Sequence, residues 1–481
     1  MNIKQLNLHR PANARIISLI SLGLIPLLSL VWMLVPDSLT MRQAETASTS
    51  LIVASLIYLI ITSVLVHRTI VHTYIFFLGC VSLFVGGRFL SHAAGFDIAA
   101  MGMETNIFSV HRPDFVTISM SAKEGVRLSV YIATCLYAIH AGYMFTISRQ
   151  SSKIISSDDI AWAWTLSIPS MILAAISTVV FLISFPDVYN AVHSDGYLSL
   201  YKSASSDFTT RGSTAAQYGL LIALGLAFAS NSRWLGWTVM ALLGAYYIAN
   251  LQLGVRGGIM GFSLLCIWLF HTRVKRIDRL ALIAIPAILA VLVTFAAFGP
   301  RAGNFGEKTA LYLPWFIDNQ GLTVLYIHSA MQIDSYPTLA YFHSIFPAVP
   351  TFFALAGQSV PLDQLYFGQF LSKITLSGDA YQQGFGMGWS VFADFYAYTL
   401  WIPGLYLIAA GVFGILLAKL VSSTNPLVFG AHVMIFVKIM LLPRTGLYSI
   451  APFLLAYFGI LASCYFFHYI YAQRNSYFLK R

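Results

Sequence analysis

Twelve apolar stretches constrain this chain more than any other feature of its sequence. The hydrocarbon core of a bilayer is about 30 Å thick, and about 20 apolar residues cross it as an α-helix. Stretches that approach or reach this length lie at 16–36, 50–66, 70–91, 126–148, 160–185, 213–230, 234–252, 257–271, 280–298, 401–421, 427–442 and 450–471. Composition agrees, because 58% of the residues are hydrophobic and 10% are charged, whereas soluble domains carry about 25% charged residues. The sequence therefore predicts an all-α polytopic integral membrane protein with about 12 transmembrane helices.

Basic residues fall mainly in alternate connections between these spans. With the N-terminus placed in the cytoplasm, fifteen of the 28 lysines and arginines lie in short inner loops and tails. Four of them lie in a single turn, HTRVKRIDR (271–279). Because cytoplasmic loops are enriched in Lys and Arg, both termini are predicted to be cytoplasmic. Topology thus accounts for most of the net charge of +10, and no nucleic-acid partner is predicted.

The predicted topology divides the chain into three parts. Residues 1–298 hold the first nine spans, residues 299–400 form a large outer loop, and residues 401–481 hold the last three spans and a cytoplasmic tail. So long a loop is unusual as a structureless connection in a compact protein, so we expect it to fold and to carry function. Within it, 311–333 and 361–375 mix apolar and polar residues at helical spacing, as interfacial helices do.

Arginines at the predicted outer ends of spans are candidates for anion binding. They are Arg88, Arg127, Arg211, Arg256, Arg301 and Arg444. A guanidinium stays charged and presents a planar fork of donors that matches phosphate oxygens. Snorkelling to the membrane interface is the competing interpretation, and we prefer it for Arg88 and Arg127.

Arg256 and Arg444 differ because each lies in a very short turn beside glycine. The turns read GVRGG (254–258) and LLPRTG (441–446). Little exposed chain is available there for snorkelling, so anion binding is the favoured interpretation. The glycines also form two overlapping G-x-x-x-G pairs, 254/258 and 257/261, which are typical of closely packed membrane helices.

Acid and base candidates lie on the same predicted face. They are Asp363, Asp379, Asp394, His328 and His343. Asp394 lies in an aromatic stretch (386–404), where poor hydration is expected to raise its pKa. A hydrogen-bonded structural role competes with catalysis at each of these positions. The chain lacks D-x-D, H-E-x-x-H, P-loop and C-x-x-C motifs, so neither a metal nor a cofactor is predicted.

Five segments together resemble the O-antigen polymerase (Wzy) family over roughly residues 240–460. They are IANLQLGVRGGIMGF at a span junction, the large loop, YFHSIFPAVPTFFALAG (341–357), GMGWSVFADFYAYTLWIPGLYLIAAGVFG (386–414) and LLPRTGLYS (441–449). The resemblance implies a glycosyltransferase of the bacterial inner membrane. Such an enzyme joins oligosaccharide repeats carried on undecaprenyl diphosphate, with its active site and large loop on the periplasmic face.

The resemblance also implies roles for individual residues. Arg256 and Arg444, together with Arg211 or Arg301, would bind the diphosphates of the lipid-linked donor and acceptor and neutralise the leaving group. Asp394, Asp379 or His343 would take the proton of the acceptor hydroxyl. A chain-length regulator is a further expected partner.

Two alternatives stay open at this point. An O-antigen ligase shares the glycine and arginine turn, but ligases carry a loop histidine followed by asparagine, whereas His343 is followed by Ser344. A flippase for the same lipid-linked sugar belongs to a different class. Transporters are usually built from matching halves with polar groups near the membrane centre, and this chain has unequal halves.

Overall fold

The computed structural model describes residues 11–96, 106–112, 116–149, 162–195, 208–298, 312–346, 349–383, 385–399, 402 and 404–478. The first half comprises α1 (Pro11–Leu34), α2 (Met41–His67), α3 (Thr73–Phe84), α4 (Gly87–Ala93), β1 (Ser109–Arg112), β2 (Val116–Ser119), α5 (Ala122–Arg149), a 3-10 turn (Ala163–Leu166), α6 (Ser167–Asp195), α7 (Phe208–Ala229), α8 (Arg233–Gln252), α9 (Gly257–Arg273) and α10 (Asp278–Phe298). The second half comprises α11 (Tyr312–Gln320), α12 (Thr323–Met331), α13 (Thr338–Ile345), α14 (Val349–Leu355), α15 (Leu362–Leu365), α16 (Phe367–Thr375), α17 (Gly378–Gln382), α18 (Val391–Tyr398), α19 (Leu405–Ser422), α20 (Pro426–Leu441), a 3-10 turn (Leu447–Ser449) and α21 (Ala451–Phe478).

A helix occupies each of the twelve predicted spans. Eight helices in the described part of the chain are long and apolar enough to cross a membrane, and the bent pair α3 and α4 gives a ninth. The other three predicted spans are α9, α10 and α20, of which α9 has 17 residues and α20 has 16. The fold class is confirmed, and the count of 12 stays a prediction.

The third predicted span, 70–91, is not one straight helix. It breaks after Phe84, and α4 leaves α3 at an angle of 71°. The pair Gly86 and Gly87 lies at the break, and a Cβ on Gly87 would overlap the carbonyl oxygen of Ile317 in α11. The bend therefore lets a helix of the large loop contact the backbone of a membrane segment, which hydropathy alone does not reveal.

A small hairpin follows α4 and departs from the all-helical prediction. β1 and β2 pair antiparallel with Ser109 opposite Ser119. The carbonyl oxygen of Ser109 accepts a hydrogen bond from Nη1 of Arg88 at 3.0 Å. Arg88 is 0% exposed and also forms an ion pair with Asp318 in α11, at 3.4 Å. The snorkelling interpretation of Arg88 is therefore wrong, because its charge is neutralised inside the protein.

The large loop is part of the core and does not simply cover it. Side chains of α12, α16 and α18 belong to the same buried cluster as those of the long helices. Tyr131 of α5 donates a hydrogen bond to the carbonyl oxygen of Phe392 at 2.7 Å. Helices do form in both segments, 311–333 and 361–375, where helical spacing predicted them.

The contacts separate the molecule into two ends. At the basic end, Nη2 of Arg276 donates to the carbonyl oxygen of Arg68 at 3.3 Å, and Arg233 and Arg273 line one cavity of about 320 Å³. At the loop end lie Arg88 and the described helices of the loop. Helix α9 joins the two ends: it begins at Gly257 and ends at Arg273, roughly 24 Å apart at 1.5 Å per residue.

Replacing Gly87 with alanine tests the bend. We expect Gly87→Ala to lower the midpoint of thermal unfolding in detergent, because the added methyl group meets the Ile317 carbonyl and overpacking costs about 1–3 kcal/mol. Gly79→Ala in α3 is the matched control, since a Cβ there has no neighbour within 4 Å. Equal midpoints for the two variants would show that α4 and α11 do not make this contact.

Candidate functional site

Arg256 is held at the loop end by close helix packing around α9. The residue caps the N-terminus of α9, after a turn in which Gly254 has φ +83°. A Cβ on Gly261 would lie 2.8 Å from Cγ1 of Val437 in α20, so the backbone of α9 packs directly against a side chain of α20. Helix packing by the glycines and anion binding by Arg256 are therefore compatible, because the packing of α9 against α20 fixes the position of the turn that carries the arginine.

The guanidinium of Arg256 has unused hydrogen-bonding capacity. Its Nη2 atom is buried and has no hydrogen-bond partner among the described residues. The first N–H groups of α9 are adjacent, and a helix N-terminus carries a partial positive charge that attracts anions. The Arg256 turn therefore presents donors and positive charge without a protein anion to neutralise them.

Arg444 lies at the same end, in the connection between α20 and α21. Leu441, the last residue of α20, faces Gly257, the first residue of α9. Arg444 is exposed, donates from Nη1 to Oε1 of Gln320 at 2.7 Å, and lies 5.8 Å from the centre of the Phe84 ring. Two arginines that are 188 positions apart in the sequence thus flank one helix junction.

Asp394 connects the large loop to the Arg444 turn. Its side chain is 0% exposed, and its Oδ1 accepts a hydrogen bond from Nε1 of Trp389 at 2.6 Å. Its Oδ2 accepts a hydrogen bond from the backbone N–H of Leu447. A Cβ on Gly446 would lie 2.8 Å from that same Oδ2. The carboxylate therefore positions the chain directly after Arg444.

Local sequence explains why Asp394 is placed so tightly. Ser390 caps α18 by accepting from the N–H of Phe392 at 3.3 Å, and the N–H of Val391 donates to the carbonyl oxygen of Leu442 at 3.0 Å. Trp389 is 2% exposed and stacks on Phe367 at 5.4 Å. Burial raises the pKa of Asp394 to about 7, although both hydrogen bonds act to lower it. The sequence-based expectation of a raised pKa is confirmed.

His343 lies beside the same turn. Helix α13 packs against the 3-10 turn Leu447–Ser449, and the His343 ring meets the edge of Tyr366 at 4.7 Å. The side chain is 8% exposed, and its Nδ1 has no hydrogen-bond partner among the described residues. Burial lowers the pKa of His343, which favours the neutral form of the ring.

The remaining candidates are not brought to this junction. Asp379 is exposed in the first turn of α17, and no hydrogen bond in the described part of the chain joins it to either arginine turn. Asp363 forms an ion pair with Lys373 at 2.8 Å. Arg301 lies outside the described residues, and Arg211 lies within α7 but its side chain is not described.

Sequence reasoning missed one cation at this end. Lys438 lies in α20, three residues before its end, and its Nζ lies 5.2 Å from the centre of the Phe453 ring. The signal was available, because an ionisable residue within a predicted span, here 427–442, points to function by default.

The arrangement favours binding of an anion through arginine. Within the described residues, no group of three His, Cys, Asp or Glu side chains could hold a metal ion. The two guanidinium groups at the junction of α9 and α20 are suited to neutralising the charge of an anion.

Comparison with known proteins gives one family. A model of the family described as O-antigen polysaccharide polymerase Wzy matches residues 17–475, nearly the whole chain. No curated protein and no solved structure shows a significant match.

The raised pKa of Asp394 predicts how stability depends on pH. The folded state binds this proton up to about pH 7, whereas an unfolded aspartate loses it near pH 4. The folded state thus holds more protons between these values, and its stability falls by up to about 1.4 kcal/mol per pH unit as pH rises. We expect Asp394→Asn to remove this contribution from the pH profile of thermal unfolding.

Asp379→Asn is the control for that profile, because Asp379 is an exposed aspartate of the same loop. Its profile should follow that of the unchanged protein. If Asp394→Asn keeps the original profile between pH 4 and 7, the carboxyl group is not the buried titrating group described here.

Proposed function

The chain belongs to the O-antigen polysaccharide polymerase Wzy family, and we propose that it polymerises repeat units carried on undecaprenyl diphosphate at the periplasmic face of the bacterial inner membrane. The site proposal rests on one contact: Gly257, the first residue of α9, packs against Leu441, the last residue of α20. This contact brings the Arg256 turn and the Arg444 turn to the same helix junction. Two guanidinium groups and a helix N-terminus are well suited to a diphosphate.

The orientation proposal rests on the two ends of the molecule. Arg68, Arg233, Arg273 and Arg276 gather at the basic end. If that end faces the cytoplasm, as the positive-inside rule predicts, then the loop end faces the periplasm and both termini are cytoplasmic. Substrates on that side are lipid-linked, because soluble nucleotide sugars are not expected there.

The proposed reaction is transfer of a glycan from one lipid diphosphate to another repeat unit. An acceptor hydroxyl attacks the anomeric carbon of the donor, a new C–O bond forms, and the bond to the diphosphate oxygen breaks. The leaving diphosphate gains negative charge, which Arg256 and Arg444 stabilise. The hydroxyl proton goes to a general base.

We assign His343 as that base and Asp394 as a positioning residue. His343 has a neutral ring and an unpartnered Nδ1, whereas both carboxylate oxygens of Asp394 accept hydrogen bonds from the protein. Asp379 is exposed, and no hydrogen bond in the described part of the chain joins it to either arginine turn. It is therefore the weakest of the three candidates for the general base. Arg211 and Arg301 stay proposed contributors to diphosphate binding.

The partners proposed are the lipid-linked donor and acceptor within the bilayer. A chain-length regulator protein is a further partner implied by the family resemblance. The match to a polymerase family over nearly the whole chain favours polymerisation over the ligase and flippase alternatives.

Replacing Arg256 tests the proposed role in cells. We expect Arg256→Gln to reduce polymer at least about 100-fold, because loss of a donor that stabilises transition-state charge typically costs 10²–10³ in rate. Lipopolysaccharide gels of cells that carry only this variant should then show core plus one repeat and no ladder. Arg256→Lys keeps charge without the bidentate fork, and we expect a shortened, weak ladder.

Arg276→Gln at the basic end is the control, and its ladder should be normal. The amount of each variant in the membrane is measured by immunoblot. A normal ladder from Arg256→Gln would contradict the role of this arginine. Cells lacking the protein should also keep one repeat on the core. A bare core would indicate a ligase instead, and an unchanged ladder would contradict both enzymes.

A further inference from the structure

Lys438 places a positive charge inside the helix bundle. It lies three residues before the end of α20, or about 4.5 Å along the helix axis, and it is partly buried. A lysine within a membrane span costs about 2.5–3.5 kcal/mol on insertion scales. Such a residue is expected to have either an acidic partner or a function.

No acidic partner accompanies Lys438 among the described residues. Its Nζ lies 5.7 Å from the ring centre of Tyr218 in α7 and 5.2 Å from that of Phe453 in α21. These two rings stack on each other at 4.3 Å. Aromatic faces attract a cation but do not cancel its charge, so no counter-ion among the described residues neutralises an ammonium group at Lys438, and a bound anion could do so.

Lys438 lies on a face of α20 next to the face that contacts α9. Val437 and Leu441 face α9 and therefore the Arg256 turn. Met434, one helical turn before Lys438, faces Gly225 in α7. Because successive residues are separated by about 100° around a helix, Lys438 lies toward α7 and α21 and not toward α9.

Aromatic side chains continue from Lys438 toward the large loop. The Phe453 ring beside Lys438 belongs to α21, which begins two residues after the 3-10 turn Leu447–Ser449. In that turn, the Tyr448 ring lies 5.9 Å from the Tyr366 ring, which lies 4.7 Å from the His343 ring. Lys438 is therefore connected to the proposed base through α21 and this turn.

We propose that Lys438 forms a second anion subsite, which binds the diphosphate of one lipid-linked substrate while Arg256 and Arg444 bind that of the other. The inference rests on the proposed function, which requires two lipid diphosphates to be bound at once. The two faces at the end of α20 then hold donor and acceptor side by side. The stacked pair Tyr218 and Phe453 forms the wall behind the ammonium group.

Binding stoichiometry tests the proposal. Full-length protein in phosphatidylcholine nanodiscs is titrated with radiolabelled undecaprenyl diphosphate. We expect two molecules per chain for the unchanged protein and for Lys438→Arg. With Lys438→Met, whose side chain is unbranched and one heavy atom shorter, the second molecule should bind about 10- to 100-fold more weakly, as expected for loss of a charged contact.

Lys419→Met in α19 is the matched control, since Lys419 lies in the last turn of that helix, and it should bind two molecules. If Lys438→Met also binds two with unchanged affinity, the second subsite is wrong while the proposed function stands. If the unchanged protein binds none, the proposed function itself is contradicted.

A second titration separates substrate from ordinary lipid. Part of the phosphatidylcholine is replaced by phosphatidylglycerol, which also carries a phosphate anion. We expect the Lys438-dependent molecule to remain bound. Its displacement by phosphatidylglycerol would show that Lys438 binds any anionic lipid head group, and this result would overturn the proposal.

Discussion

The buried carboxylate of Asp394 is the contact on which the loop end depends. It joins the indole of Trp389 to the backbone of Leu447, and so it ties the large loop to the connection between α20 and α21. Burying an ionisable group without partners would be costly. The two donors offset part of that cost, and the raised pKa indicates that another part remains for the ionised form. Arg444 lies three residues before Leu447, so this contact helps to position the turn that carries it.

The same end of the molecule concentrates positive charge that the protein leaves uncompensated. Arg88 forms an ion pair with Asp318, whereas Arg256 has no acidic partner among the described residues. Donors that are fixed in advance in a poorly hydrated site stabilise developing charge better than water does. Both arginines lie at span ends in the sequence. The charge of Arg88 is nevertheless structural, whereas that of Arg256 is available to a ligand.

Sequence patterns predicted what depends on local composition and missed what depends on distant contacts. Hydropathy located a helix in every predicted span, and the aromatic surroundings of Asp394 predicted its raised pKa. The bend after Phe84 was missed because it requires Ile317 to contact Gly87, 230 residues away. Arg88 was misjudged for the same reason, since its partner Asp318 lies equally far along the chain. Lys438 was overlooked although its position within a span was visible, because only the planar guanidinium groups of arginines were expected to bind the diphosphates.

The most direct test of this account is the location of a bound lipid diphosphate. A cryo-electron microscopy map of the protein with undecaprenyl diphosphate should show density at the loop end, in contact with Arg256 and Arg444. The positively charged cavity lined by Arg233 and Arg273 at the basic end offers the alternative location. Diphosphate density there, with none at the junction of α9 and α20, would contradict the account.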